Sequence, residues 1–143
     1  MNPERFDEVI NLSLAHYGPI GVEASLLSVR DRHSPQPPGE WYTVVVEVEP
    51  VTAQPTPYAE TWNYGGLISH ERGPVPLGVR TINAKKLIGA VKAAKELPPG
   101  YDLKKASANL SWPLVPNLSE PLYSFLLNDS VFNVGAYTGK TYE

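Results

Sequence analysis

The chain has 143 residues, no cysteine and a formal net charge of −3 at pH 7. This length suits one domain that removes about 70% of its unfolded surface from water, and the lack of cysteine excludes disulfides, thiolate metal sites and a thiol nucleophile. The acidic balance disfavours nucleic-acid binding, which needs a concentrated basic face.

The first segment predicts a helix over residues 3–17. Asn2 is a good N-cap, Pro3 suits the first helical turn, and apolar residues then recur at helical spacing until Gly18. The segment lacks the basic start and the unbroken apolar run of a secretory signal. We therefore expect a cytoplasmic protein without a membrane span.

The segments at residues 22–30 and 41–49 predict β-strands. Valines alternate with polar residues in the second segment, which is typical of a sheet that is covered on one face. A weaker strand is predicted within residues 58–69, where Gly65-Gly66 indicates a bend. The side chains expected on the covered face of the second strand are Tyr42, Val44, Val46 and Val48.

Fifteen prolines indicate many breaks in the chain. Because proline cannot donate a hydrogen bond within a sheet, proline-rich segments predict connections or covers over a sheet edge. These segments are residues 33–40, 49–57 and 72–78.

The stretch between Asn83 and Pro98 predicts a second helix, with Asn83 as its N-cap. Its lysines are interpreted as a solvated face rather than a site for anions. Residues 104–115 then predict a strand, with a short helix from Asp102 as the alternative. The apolar stripe of this helix consists of Ala84, Leu87, Ile88, Val91 and Ala94, and the alternating residues of the strand are Ala106, Ala108, Leu110 and Trp112.

The last segment predicts a hairpin with Asn128-Asp129 as its two-residue turn. This register gathers aromatic and aliphatic residues on one face, whereas a shift by one residue would lose that sorting. The expected pairs are Phe125 with Phe132, Tyr123 with Val134, Ser124 with Asn133, and Leu126 with Val131.

The two halves of the chain, residues 3–49 and 84–137, show a candidate internal duplication. A constant offset of 81 residues, as between Tyr42 and Tyr123, aligns WYTV with LYSF. Chance similarity between two amphipathic helices followed by strands is the alternative.

Residues 84–142 contain a lysine- and alanine-rich helix ending in ELPPG, a strand, EPLYSFLL, and the ending VFNVGAYTGKTY. Together these motifs resemble the PepSY family and its relatives with cystatin-like curved sheets. Where that family has an acidic residue before the alanine of the ending, this chain has Gly135. The resemblance implies helices cradled by an antiparallel sheet, and a non-enzymatic role as a peptidase-restraining or ligand-binding accessory domain.

We predict a single α+β domain over residues 1–143. Two helices are expected to pack on one face of a strongly curved antiparallel sheet of five or six strands, in a cystatin-like or PepSY-like arrangement. The candidate duplication adds the alternative that this domain consists of two α-β-β units.

No recognised catalytic, phosphate-binding or metal-binding spacing is present, so we expect no cofactor and no metal. The loop predicted at 31–34 contains Asp, His and Ser as near neighbours, but a catalytic triad converges from different elements. His16 suits a helix C-terminus, and His70 has no partner at metal-ligand spacing. The histidines of the chain are His16, His33 and His70.

Aromatic residues outside the periodic stripes are candidates for a concave binding surface. The alternative is that they are lids over the core, since tryptophan is usually largely buried. The segment PYAETWNYGG, residues 57–66, is the first place to look for a site. The candidate ligand-binding residues are Tyr58, Trp62, Tyr64, His70 and Trp112.

For function, we predict a non-catalytic module that binds a protein or peptide partner, or its own copy as a homodimer, through the open sheet face or an edge strand. Regulation of a peptidase is one form of this activity. The alternative is a small-molecule-binding protein or enzyme that uses a pocket between sheet and helices, with Trp62, Tyr64 and His70 at its mouth.

Overall fold

A computed structural model of the chain describes most of its residues. The predicted connections at 49–57 and 72–78, and the bend at Gly66, lie partly or wholly outside this part of the chain. The described residues are 1–18, 23–35, 38–49, 57–65, 69–75, 79–113 and 117–142.

Strands dominate the described residues. In chain order the elements are α1 (Pro3–Ala15), β1 (Glu23–Pro35), β2 (Pro38–Glu49), β3 (Tyr58–Tyr64), β4 (Ser69–Pro74), a single 3₁₀ turn (Ala84–Lys86), α2 (Ala90–Ala94), β5 (Ser107–Ser111), β6 (Leu122–Leu127), β7 (Ser130–Gly135) and β8 (Thr141–Tyr142).

The eight strands form one antiparallel sheet in the order β4-β3-β2-β1-β5-β6-β7-β8. Two four-stranded meanders, β1–β4 and β5–β8, meet where β1 pairs with β5. Val29 lies opposite Leu110 in this pairing, and Arg30 lies opposite Asn109. The junction between the two halves of the chain is therefore at the centre of the sheet.

The predicted first helix is confirmed and ends at Ala15. The side-chain oxygen of Asn2 accepts hydrogen bonds from the backbone N–H groups of Glu4 and Arg5, at 3.1 and 3.2 Å. This capping satisfies two of the donors that a helix start leaves without a partner. The side chains that α1 buries are Phe6, Val9, Ile10 and Ser13.

Phe6 lies between the two meanders and contacts a tyrosine of each. Its ring centroid is 6.2 Å from that of Tyr42 on β2 and 6.1 Å from that of Tyr123 on β6, both in edge-to-face geometry. All three side chains are fully buried. The predicted covered face of β2 is confirmed, because Tyr42, Val44, Val46 and Val48 are all in the core.

The predicted second helix is wrong as a continuous element. After the 3₁₀ turn the backbone is extended at Leu87, and the N–H of Ile88 donates to the carbonyl of Ala136 at 2.9 Å. Gly89 then has φ +96°, a conformation that favours glycine. These two features interrupt the helical periodicity, so that α2 has only five residues.

Asp7 of α1 provides the N-terminal cap that α2 lacks in its own sequence. Its carboxylate accepts hydrogen bonds from the N–H groups of Ala90, at 2.8 Å, and Val91, at 3.4 Å. Burial raises the pKa of Asp7, although these two hydrogen bonds act in the opposite direction. The short helix is thus fixed by its partner helix rather than by its own length.

The predicted fold class is therefore wrong. The structure is mostly one eight-stranded antiparallel sheet with two short helices, and it is not the predicted arrangement of two helices packed on a curved sheet of five or six strands. Short strands such as β4 and β8 carry too few alternating residues to be predicted. The 31–34 segment is also part of β1, not a loop. The internal duplication stays a prediction.

The C-terminal hairpin is confirmed in its register. Asn128 and Asp129 have φ of 49° and 64°, as a two-residue turn with positive φ at both positions requires. The four expected pairs all occur in β6 and β7: Phe125 with Phe132, Tyr123 with Val134, Ser124 with Asn133, and Leu126 with Val131.

Glu120 is a buried carboxylate that holds the turn between β7 and β8. It accepts hydrogen bonds from the backbone N–H groups of Tyr137 and Thr138, from the Thr138 hydroxyl and from the Tyr142 hydroxyl, at 2.6–2.9 Å. Burial acts to raise the pKa of Glu120, but these four hydrogen bonds lower it overall. A Cβ at Gly135 would lie 2.5 Å from Cδ of Glu120, so glycine is required there.

Candidate functional site

The five predicted site residues lie in two separate places. Tyr58, Trp62 and Tyr64 alternate along β3 on the face that the helices cover, and His70 of β4 pairs with Trp62. Trp112 follows β5, and two strands lie between β5 and β3 in the sheet. The five residues therefore do not form one site.

The Trp62 indole stacks against the rings of two histidines. The His16 ring at the end of α1 stacks on the indole at 4.1 Å between centroids, with planes 3° apart, and the His70 ring stacks on it at 4.5 Å and 24°. Only 8% of Trp62 is exposed. The indole is therefore covered by the chain's own side chains and is not presented to a ligand.

A chain of hydrogen bonds continues from Trp62 to Glu60. The indole Nε1–H donates to the Tyr17 hydroxyl at 2.6 Å, and this hydroxyl donates to Oε2 of Glu60 at 2.5 Å. Arg72 approaches the other oxygen of Glu60 at 4.0 Å and stacks over the Tyr58 ring at 4.1 Å. Burial and the Glu60 carboxylate raise the pKa of Tyr17, so this phenol stays protonated.

Tyr64 is also satisfied within the protein. It is 1% exposed, its hydroxyl is 2.7 Å from the Ser13 hydroxyl, and Ser13 donates to the carbonyl of Val9. Tyr64 therefore lies in the core beneath α1 and not at the mouth of a pocket. This packing matches the alternative interpretation of the aromatic residues as lids over the core.

Trp112 belongs to a separate surface cluster. Its Nε1–H donates to the carbonyl of Thr81 at 2.9 Å, and the Arg80 guanidinium lies 3.5 Å from its ring centroid. Tyr137 packs edge-on at 6.4 Å. These contacts attach the 79–83 segment to the end of β5.

A cleft of about 650 Å³ opens beside the helices, between the end of α1, the start of β1 and residues 81–85. None of the five predicted site residues lines it. The pocket that the sequence predicts, with Trp62 and His70 at its mouth, therefore does not coincide with this cleft.

A second groove lies on the opposite face of the sheet, which we call the open face because α1 and α2 both pack on the other side. The groove has a volume of about 300 Å³ and spans the three central strands β2, β1 and β5. Arg30 lies at its centre, opposite Thr43 on one side and Asn109 on the other. The lining residues are Ser28, Val29, Arg30, Arg32, Thr43, Val45, Asn109, Leu110 and Ser111.

The cross-strand partners of Arg30, followed from strand to strand, form a polar row that crosses the open face. Two hydrogen bonds lie within the row: the Thr43 hydroxyl donates to Oδ1 of Asn63 at 3.1 Å, and the Ser124 hydroxyl donates to Oδ1 of Asn133 at 2.7 Å. From β3 to β7 the row consists of Asn63, Thr43, Arg30, Asn109, Ser124 and Asn133.

Arg30 and Arg32 supply the positive charge of the groove. Both side chains are exposed, and neither forms an ion pair with any residue that the structure describes. Farther along the same face, Leu126 and Val131 are 37% and 55% exposed at the tip of the C-terminal hairpin. The open face thus combines arginine, amide, hydroxyl and aliphatic groups.

Sequence reasoning did not predict this groove, and it did not predict that His16, Tyr17, Glu60 and Arg72 come together around Trp62. The spacing of Arg30 and Arg32 is the signal that could have revealed the groove, because residues i and i+2 of a strand share a face. The pairing of β1 with β5 is not visible in the sequence, since it joins residues about 80 positions apart.

Within the described ranges, no three His, Asp or Glu side chains come together as a metal site. No helix in the same ranges is long and apolar enough to cross a bilayer. No family model, curated protein or solved structure matches the chain. The resemblance to the PepSY family therefore stays a prediction.

Proposed function

We propose that the protein is a non-catalytic module that binds a protein or peptide partner through the open face of its sheet. The observation that carries this proposal is the polar row across the central strands, with the exposed Arg30 at its middle. Side chains in this row are not needed to fill the core, because the core lies on the other face.

The composition of the open face supports a protein partner. Arginine is enriched at protein interfaces and is frequent among the residues that contribute most to binding. The amides and hydroxyls of the row can both donate and accept hydrogen bonds, which suits the backbone of an extended peptide. Leu126 and Val131 add exposed aliphatic surface on the same face.

The buried polar groups of the chain support a structural role for the rest of the molecule. Tyr17 and Glu120 are fully engaged by their own neighbours, and their pKa values are shifted in the directions that keep them in these hydrogen-bonded states. These groups stabilise the fold that presents the open face.

A displayed library of random twelve-residue peptides tests the proposal against the full-length protein. T43W fills the groove with a bulky ring, and L12W adds the same ring to an exposed position of α1, on the helix side. We expect selected peptides to bind T43W at least about tenfold more weakly than wild type and to bind L12W normally. Failure to select any peptide, or equal binding to T43W, would contradict the proposal.

A further inference from the structure

We propose that the partner segment that binds the open face is acidic, and that its carboxylates bind between Arg30 and Arg32. This inference rests on the proposed function and adds the chemistry of the partner. It starts from the guanidinium groups of Arg30 and Arg32, the two charged groups among the described residues that line the groove.

The spacing of the two arginines suits a carboxylate. They are alternate residues of β1 on one face of the sheet, so their Cα atoms are about 7 Å apart. Each guanidinium presents several N–H donors in a planar fork that matches a carboxylate in two-point geometry. The two guanidinium groups can each bind one acidic side chain, or both can donate to the same carboxylate.

The described residues that line the groove include no acidic partner for the two arginines. None of the described residues that line the groove is Asp or Glu, and the polar ones other than the arginines are neutral. This is notable in a chain with 15 acidic residues and a net charge of −3. The neutral polar residues of the lining are Ser28, Thr43, Asn109 and Ser111.

Charge distribution on the open face favours an acidic polypeptide over nucleic acid. By the sheet register, Glu47 and Glu71 lie on this same face, nearer the β4 edge. They would repel a phosphate backbone, which carries one negative charge at every nucleotide. A peptide with a local group of carboxylates can engage the arginines and keep its neutral part over the rest of the row.

The test combines peptide selection with paired charge-removing variants. R30Q/R32Q removes both arginines of the groove, and K92Q/K95Q removes two exposed positive charges on the helix side, at Lys92 of α2 and at Lys95 directly after it. We expect peptides selected by the wild-type protein to be enriched in Asp and Glu. We expect their affinity to fall at least about tenfold in R30Q/R32Q and to change less than about twofold in K92Q/K95Q.

The outcomes separate this inference from the proposed function. One outcome would overturn the inference and leave the proposed function standing. In that outcome the selected peptides bind T43W weakly, but they are not enriched in Asp and Glu and they bind R30Q/R32Q normally. Peptides insensitive to T43W would overturn both. Sedimentation of the wild-type protein as a dimer that R30Q/R32Q converts to a monomer would also overturn the inference, since the occupant would then be a second copy.

Discussion

The Glu120 carboxylate gives the sharpest prediction about stability, because it is almost fully buried, accepts four hydrogen bonds and forms no ion pair with any described residue. It is 2% exposed. One oxygen accepts from the backbone N–H groups of Tyr137 and Thr138, and the other accepts from the hydroxyls of Thr138 and Tyr142. The perturbation is E120Q, which keeps the shape of the side chain and removes its charge.

The magnitude follows from the kind of hydrogen bond that is lost. A hydrogen bond to a charged group contributes about 1.5–3 kcal/mol, against about 1 kcal/mol for a neutral one. Glutamine keeps one carbonyl oxygen for the two backbone donors, but it places an NH₂ group where two hydroxyls now donate. We therefore expect E120Q to lower the free energy of unfolding by about 2–4 kcal/mol at pH 7.

The same carboxylate predicts a pH dependence. The folded pKa of Glu120 is lowered, so its contribution is complete above the unfolded pKa of about 4.3 and is lost as pH falls through the folded pKa. The difference in stability between wild type and E120Q should therefore be largest near neutral pH and should narrow towards about pH 3.

Urea unfolding followed by circular dichroism measures this difference at each pH. E96Q, which neutralises an exposed glutamate after α2, is the matched control and should change stability by less than about 0.5 kcal/mol. A difference between wild type and E120Q below about 0.5 kcal/mol at pH 7, or one that does not narrow in acid, would contradict the stabilising role of the Glu120 charge.

Three further predictions concern the cap of α2, the hydrogen bonds of Tyr17 and the turn of the C-terminal hairpin. D7A should lower the free energy of unfolding by about 1–2 kcal/mol in urea, because α2 loses its cap. D7N keeps a hydrogen-bond acceptor without a buried charge and should lower it less. Equal losses in the two variants would contradict the capping role. Y17F removes the link between Trp62 and Glu60 and should cost about 1–3 kcal/mol by the same assay; an unchanged midpoint would argue against that link. D129G places glycine at a positive φ and should raise the free energy of unfolding by about 0.5–1 kcal/mol. A lower free energy of unfolding would contradict the assigned turn.

Local sequence patterns predicted the elements whose determining residues lie close together in the sequence. The cap at Asn2 gave the start of α1, and the sorting of side chains around Asn128-Asp129 gave every pair of the hairpin. The prediction of a continuous second helix failed because the N–H of Ile88 donates to the distant carbonyl of Ala136 and because Gly89 adopts a positive φ. Tertiary contacts overrode the helical periodicity there.

The candidate site was harder to predict than the fold. The position of the aromatic residues away from regular stripes predicts a binding surface, but Trp62 and Tyr64 contact residues of α1 and its C-terminal end, which their own segment does not reveal. The groove at Arg30 depends on the pairing of β1 with β5, which only the whole topology creates. No sequence motif marks the residues of the groove, and only the pairing of the strands brings them together.

The accessibility of the Asn109 side-chain amide in the free protein tests the central claim, that the face opposite the helices is open to a partner. Relaxation of this NH₂ signal by an inert gadolinium chelate in solution can be compared with that of the Trp62 indole N–H, which is buried and donates to Tyr17. We expect strong relaxation at Asn109 and little at Trp62. Protection of Asn109 equal to that of Trp62 would show that the face is covered, and would contradict the account.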